Sequence, residues 1–203
     1  MVVPTPNEAD EEQSLEDQAR LQGVRLAART LEHHLTNHLT LTVGYAELIA
    51  EDPELQQVLR DRRDQVPNFV EETLRIESPV KGDFRLARVP TTVGGVDIPA
   101  GTTLMVLNGA ANRDPRVFPD PDDFDVDRAN ARAHISFGHG IHTCPGAPLA
   151  RAEGRVSVER LLDRMSDIRI SESEHGPAAA RRYEYVPTFI LRGTRHLHLE
   201  FDA

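Results

Sequence analysis

From Leu21 onward, apolar side chains recur at alternating spacings of three and four, through Leu21, Val24, Ala28, Leu31 and Leu35. Thr42, Tyr45 and Ile49 continue the stripe, and no proline falls between Pro6 and Pro53. That period predicts one long buried helix. "EDPELQQVLRDR" then predicts a short helix started at Asp52 with Pro53 in its first turn. A further helix is predicted in "QVPNFVEETLRIESPV", with Phe69, Val70, Thr73, Leu74 and Ile76 as its apolar face, Pro67 in its first turn and Pro79 stopping it. Past Val80 the period drops towards two. "FRLARV", "TTVGGVDIP" and "TTLMVLN" read as strands of a small sheet, broken by turn signals at Gly94-Gly95 and Pro99-Ala100-Gly101. The proline- and aspartate-rich stretch from Arg113 to Asp127 predicts an ordered, irregular loop. Leu149, Ala152, Val156, Leu161, Leu162 and Met165 mark another helix, and "YVPTFILRGTRHLHLEF" predicts a closing hairpin that turns at Gly193. Residues 1–20 are acidic and polar with two early prolines, which reads as a disordered lead-in to a domain over 21–203. The fold class is mainly α with small β-sheets.

Composition narrows the function classes. The 203 residues are 39% hydrophobic and contain no Trp, so the core is aliphatic, helped by seven Phe. A single cysteine excludes an internal disulfide or a thiolate cluster and fits a reducing compartment. No signal-like N-terminus and no long apolar run is present, so the expectation is a cytoplasmic protein without a membrane partner. The net charge of -10 argues against nucleic acid as a partner.

The one cysteine, Cys144, lies in "FGHGIHTCPGAPLAR". It sits just before a predicted helix start, where the positive end of the helix dipole favours thiolate over thiol. Three readings of it stand: a buried structural cysteine, a Cys/His nucleophile, or a thiolate ligand to haem iron, for which one cysteine suffices.

The run Phe137-Gly138-x-Gly140-x-His142-x-Cys144-x-Gly146 resembles the haem-binding signature of the cytochrome P450 family, and "APLAR" resembles its bacterial soluble members. Glu72-Thr73-Leu74-Arg75 is similar to the family's E-x-x-R, and Arg128 falls where the third member of its Glu-Arg-Arg network falls. The resemblance spans about Ala46 to Phe201 and implies the C-terminal half of the fold. Its parts are a long I-like helix, J and K helices, a small sheet, a meander, the Cys loop, an L helix and a terminal β-hairpin.

The resemblance also implies roles. Cys144 would be the axial ligand of the iron in haem b, His142 and Arg85 the partners of its propionates, Phe137 a ring packed below it, and Gly138 a point of close backbone approach. Glu72, Arg75 and Arg128 would be a structural ion network. Val80, Ile190 and Leu191 would line the substrate pocket. The implied activity is monooxygenation of a small apolar organic substrate, with electrons from a ferredoxin or a flavoprotein reductase. Arg128, Arg132, Arg151 and Arg155 stand against the single acid Glu153, a local excess suited to an acidic electron donor.

The pattern departs from the family in two respects. The N-terminal half is missing, and the segment His33-His34-Leu35-Thr36-Asn37-His38 carries neither the glycine nor the acid expected above the iron. Thr36 is the one candidate proton donor there. His34 and His38 share a helix face, with Leu35 where a zinc hydrolase has its glutamate, so a zinc site, a core or surface role and a distal contact with the iron remain as readings. The alternatives to a monooxygenase are a truncated relative that does no oxygenation and a cysteine hydrolase.

Overall fold

A computed structural model of the chain describes residues 42–202. The acidic lead-in, most of the long first helix, and Thr36, His33, His34 and His38 lie outside the described residues.

Residues 42–51 are helical (α1) and lead into α2 (Pro53–Asp61). Asp52 caps α2 as its sequence requires: the carboxylate accepts from the Leu55 N–H at 2.9 Å, and Pro53, which has no N–H to lose, occupies the first turn. A short 3₁₀ turn follows, then α3 (Val66–Glu77). Ser78 ends α3 in the left-handed conformation at φ 38°, ahead of Pro79. Nine of the twelve α3 residues are buried, including Glu71, Glu72 and Arg75. A helix this enclosed must carry its charges in paired form, and those pairs organise the site.

Strands β1 (Asp83–Leu86), β2 (Thr91–Val93), β3 (Val96–Ile98) and β4 (Thr103–Val106) come next. They form two separate antiparallel pairs, β1 with β4 and β2 with β3, in place of the single small sheet expected. Gly94 and Gly95 take positive φ of 57° and 81°, the geometry of a tight turn that closes β2 onto β3. The β2–β3 hairpin is thereby an insertion between the partners β1 and β4. α4 (Asn108–Ala111) precedes the irregular proline- and aspartate-rich stretch, which holds no regular element, as expected.

α5 (Ala147–Arg164), β5 (Ser166–Ile170), α6 (Glu172–His175) and β6 (Leu199–Asp202) complete the order, with β6 antiparallel to β5. α5 falls where its apolar period predicts, but the buried face differs. Ala147, Gly154, Val158 and Leu162 are buried, while Leu149, Ala152 and Val156 are exposed. Gly154 is what lets α5 approach Tyr45 of α1: a Cβ there would stand 2.7 Å from the Tyr45 Oη. The core packs α1, α2 and α3 against α5 and β5 through Tyr45, Ile49, Leu59, Phe69, Val158 and Ile168.

The closing segment corrects a further expectation. Tyr185 bridges Thr194, the Val186 N–H donates to the Gly193 carbonyl at 2.9 Å, and the Arg195 N–H donates to the Glu184 carbonyl at 2.7 Å. Gly193 therefore sits in an arm, and the chain reverses across 187–192. That reversal carries Ile190 and Leu191 back to the end of α3. No helix of the described residues is long and apolar enough to cross a membrane.

Candidate functional site

The cysteine loop is a tight backbone fold with an open outer face. The Cys144 N–H donates to the Phe137 carbonyl at 2.8 Å, and the Cys144 carbonyl accepts from Ala147 N–H at 3.2 Å as α5 begins. Gly138 and Gly140 have φ of 74° and 73°, and a Cβ on Gly138 would press on the His142 carbonyl at 3.3 Å. Phe137, Gly138, His142 and Cys144 thus belong to one constrained turn. Cys144 is exposed, which removes the reading as a buried structural thiol. Among the described residues no hydrogen bond reaches its sulfur, so no base is held against it as a nucleophile would require.

Large apolar side chains are exposed in the loop, on β1 and in the closing segment. Ile141 in the loop is 97% exposed, and Phe189 is 73% exposed with its ring edge-on to the half-exposed Phe84 at 6.4 Å. Arg85 follows Phe84 on β1, is exposed, and donates only to the Phe84 carbonyl. His142 is exposed at the end of its 3₁₀ turn. Among the described residues neither Arg85 nor His142 has a carboxylate partner. An open thiol, uncovered apolar side chains, and an arginine and a histidine with N–H groups to give are the donor set that a flat apolar iron macrocycle with acid side groups would use, so the residues present fit haem. Val80 pairs with Leu191 in an antiparallel bridge, and the Lys81 N–H donates to the Ile190 carbonyl at 2.7 Å, so the three expected pocket residues meet at the end of α3.

Glu72, Arg75 and Arg128 form one buried network. Arg75 donates to both Glu72 oxygens at 2.8 Å, and Arg128 Nε donates to Glu72 Oε1 at 2.9 Å. The guanidinium groups also collect main-chain carbonyls from the irregular stretch. Arg75 reaches Asn112, Pro121 and Asp123, and Arg128 reaches Pro119, Asp120 and Asp123. A loop rich in proline has few partners for its own carbonyls, and the two arginines supply the missing donors.

The surface arginines divide. Arg128 and Arg151 are spent on Glu72 and Glu71, while Arg132 is 78% exposed and Arg155 points outward beside Glu159. Sequence reasoning passed over Glu71 and His134 altogether. The available signal was the pair of adjacent glutamates flanked by the apolar Phe69, Val70, Leu74 and Ile76 of the same helix.

The cytochrome P450 family model matches residues 45–174. Cytochrome P450 144 of Mycobacterium tuberculosis is 46% identical over 152 residues, covering 75% of this chain and 33% of the relative. 6-Deoxyerythronolide B hydroxylase of Saccharopolyspora erythraea is 40% identical over 161 residues, covering 79% of this chain and 38% of the relative. In structure, substrate-free cytochrome P450 CYP150A6 of Mycobacterium marinum superposes with a TM-score of 0.79 at 58% identity, over 80% of this chain and 40% of that one. The chain belongs to the cytochrome P450 family. It spans between 33% and 40% of the length of these relatives, and its helices and small sheets are a part of the P450 fold.

Proposed function

We propose that this chain is the haem-thiolate part of a monooxygenase that inserts one atom of dioxygen into a small apolar organic substrate. The observation that carries the reading is the exposed thiol of Cys144, whose backbone N–H donates to the Phe137 carbonyl in a glycine turn at the head of α5. Cys144 would ligate the iron of haem b, with His142 and Arg85 donating to the propionates, Phe137 beneath the ring and Gly138 keeping the backbone close. When bound, haem supplies the reductive activation of dioxygen. The chain's own residues hold and shield it: Glu72, Arg75 and Arg128 fix the loop's foundation, and Val80, Ile190 and Leu191 offer an apolar wall to the substrate. Thr36 would deliver a proton. The compartment that suits a free thiol is the cytoplasm.

The second reading is a haem-holding relative without oxygenase activity. One experiment separates the readings: the carbon monoxide difference spectrum of the reduced, haem-reconstituted chain, with Cys144→Ser alongside. A red-shifted thiolate band that Cys144→Ser abolishes supports thiolate ligation, and product formation with a surrogate electron donor then separates oxygenase from binder. No haem uptake rejects both.

The electron donor would be an acidic ferredoxin or a flavoprotein reductase. Arg132 and Arg155 face outward on a chain of net charge -10, a positive spot suited to steering such a partner. Electron transfer is expected to slow severalfold between 50 and 500 mM salt, as the screening length shrinks to a few Å. Arg132→Glu is expected to slow it further, and stopped-flow rates indifferent to both changes would reject this surface.

A further inference from the structure

α3 carries two adjacent glutamates with different partners. Glu72 grips the irregular stretch, as described above. Glu71 turns about 100° away around the helix and faces the cysteine loop. Its carboxylate is nearly buried and accepts a two-pronged bond from Arg151, Nε to Oε1 at 2.6 Å and Nη2 to Oε2 at 3.1 Å. The His134 Nε2 lies 3.0 Å from Oε2. His134 Nδ1 accepts the Ser136 N–H at 3.1 Å, so Nε2 carries the ring proton and donates it to Glu71. Arg132 approaches the same carboxylate at 4.0 Å from an exposed position.

From Glu71 the contacts lead directly to Cys144. The Arg151 guanidinium lies over the Phe137 ring, 4.8 Å from its centroid, and the His134 ring meets the same phenyl at 5.9 Å. Phe137 in turn supplies the carbonyl that holds the Cys144 N–H. The Ser136 hydroxyl donates to the Leu74 carbonyl at 2.6 Å, and Asn112 holds the Ile135 N–H at 2.8 Å, so the residues entering the loop are fastened to α3 on one side. Burial pushes the Glu71 carboxyl up, but donation from His134 and Arg151 outweighs it and holds the group at about 2. The Glu71 carboxylate therefore stays ionised through the neutral range.

We propose that Glu71, His134 and Arg151 are positioning residues for Cys144: Glu71 orients the guanidinium and the imidazole that fix the Phe137 ring, and Phe137 sets the height and direction of the thiol. Among the described residues the side chains of Glu71, His134 and Arg151 share no hydrogen-bond partner with those of Glu72, Arg75 and Arg128, although Asn112, whose carbonyl Arg75 holds, also receives the Ile135 N–H. Its catalytic meaning rests on the proposed haem-thiolate function. Its mechanical content does not.

The test is amide hydrogen exchange on the full chain without haem, comparing the wild type with Glu71→Gln and Arg151→Lys. Glutamine keeps the size of Glu71 and removes its charge; lysine keeps a cation on Glu71 and removes the fork and the flat face over Phe137. Both substitutions are expected to speed exchange at the Ser136 and Cys144 amides about tenfold, while exchange over 119–128, held by Glu72 and its arginines, stays within twofold. Unchanged loop exchange in a folded variant overturns the proposal. An equal rise over 119–128 also overturns it, because that is a general loss of stability. Should Glu71→Gln fail to fold, Arg151→Lys, altered at a partly exposed side chain, decides alone. Reconstitution with haem adds an independent readout: both variants are expected to lose at least half of the thiolate-type carbon monoxide band at equal haem content. A wild type without that band rejects the proposed function and leaves the exchange result standing.

Discussion

Arg75→Leu is expected to cost about 4 kcal/mol and to leave the chain largely unfolded or insoluble at 37 °C. Arg75 is fully buried on α3 and its guanidinium makes five hydrogen bonds, two to Glu72 and one each to the carbonyls of Asn112, Pro121 and Asp123. Its Cζ also lies over the buried Phe118 ring, 5.2 Å from the centroid. Leucine fills part of the volume but donates nothing. Glu72 would keep Arg128 as its one cation, the Asp123 carbonyl would keep its bond from Arg128, and the carbonyls of Asn112 and Pro121 would lose their arginine donor, each worth about 1–3 kcal/mol when left unpaired in the interior. Removing one partner from a buried ion network costs about 3–5 kcal/mol, because the remaining charge has no water to turn to. Arg75→Lys is expected to recover only part of the loss, since one ammonium cannot replace a planar fork with partners on three sides. An exposed pair gives the contrast. Arg116 and Asp114 also hydrogen-bond, yet Arg116→Leu is expected to leave the unfolding midpoint unchanged. Urea melts of the three variants check the ranking. A loss below 1 kcal/mol for Arg75→Leu would mean that the irregular stretch is held by its own turns and owes little to the arginines.

The features legible in the sequence were those specified within a few residues. Asp52 and Pro53 mark the start of α2 because an N-cap and a first-turn proline act over one turn, and Pro79 marks the end of α3 for the same reason. The glycine pair at 94–95 signals a tight turn for a backbone reason that no partner alters. The misses share a different origin. β1 pairs with β4 across an inserted hairpin, and nothing in either strand names its partner. The period of α5 locates the helix but cannot choose between the stripe of Leu149 and Val156 and the stripe of Gly154 and Val158. Tyr45 makes that choice from more than a hundred residues away, by packing where only a glycine allows it. Gly193 reads as a turn residue, yet register with Tyr185 and the bridge from Leu191 to Val80 place the reversal before it. At the site, the cysteine loop is a contiguous motif and was readable as one. The Glu71 clamp joins α3 to residues 63 and 80 positions later, and its members individually look like ordinary surface charges.

A second large effect concerns pH. Glu47 of α1 lines a cleft with Glu77, Tyr185, Arg192 and Thr194. Burial pushes its carboxyl up to about 7, the nearby charges of Glu77 and Glu51 add to the rise, and Arg192 opposes it while bonded to Glu77 at 3.0 Å. The unfolded chain binds that proton with a value near 4.5, so the folded state holds it more tightly. Stability from this group is therefore complete below about pH 4.5, falls as pH rises, and is lost above about pH 7. The shift corresponds to about 3 kcal/mol at 1.36 kcal/mol per unit, reduced to about 2 kcal/mol because the side chain keeps partial contact with water. Glu47→Gln removes the ionisation and retains a polar side chain of the same size. It is expected to leave stability nearly unchanged at pH 4 and to raise it by about 2 kcal/mol at pH 8, read as a higher urea midpoint at constant slope. Equal gains at both pH values would show that glutamine helps by packing or hydrogen bonding, and that the carboxylate of Glu47 is no burden to the fold. Should the variant instead lose stability at pH 8, the ionised Glu47 would have to be paired with Arg192 in solution, and the charge balance of the cleft would be the reverse of the one argued from its geometry.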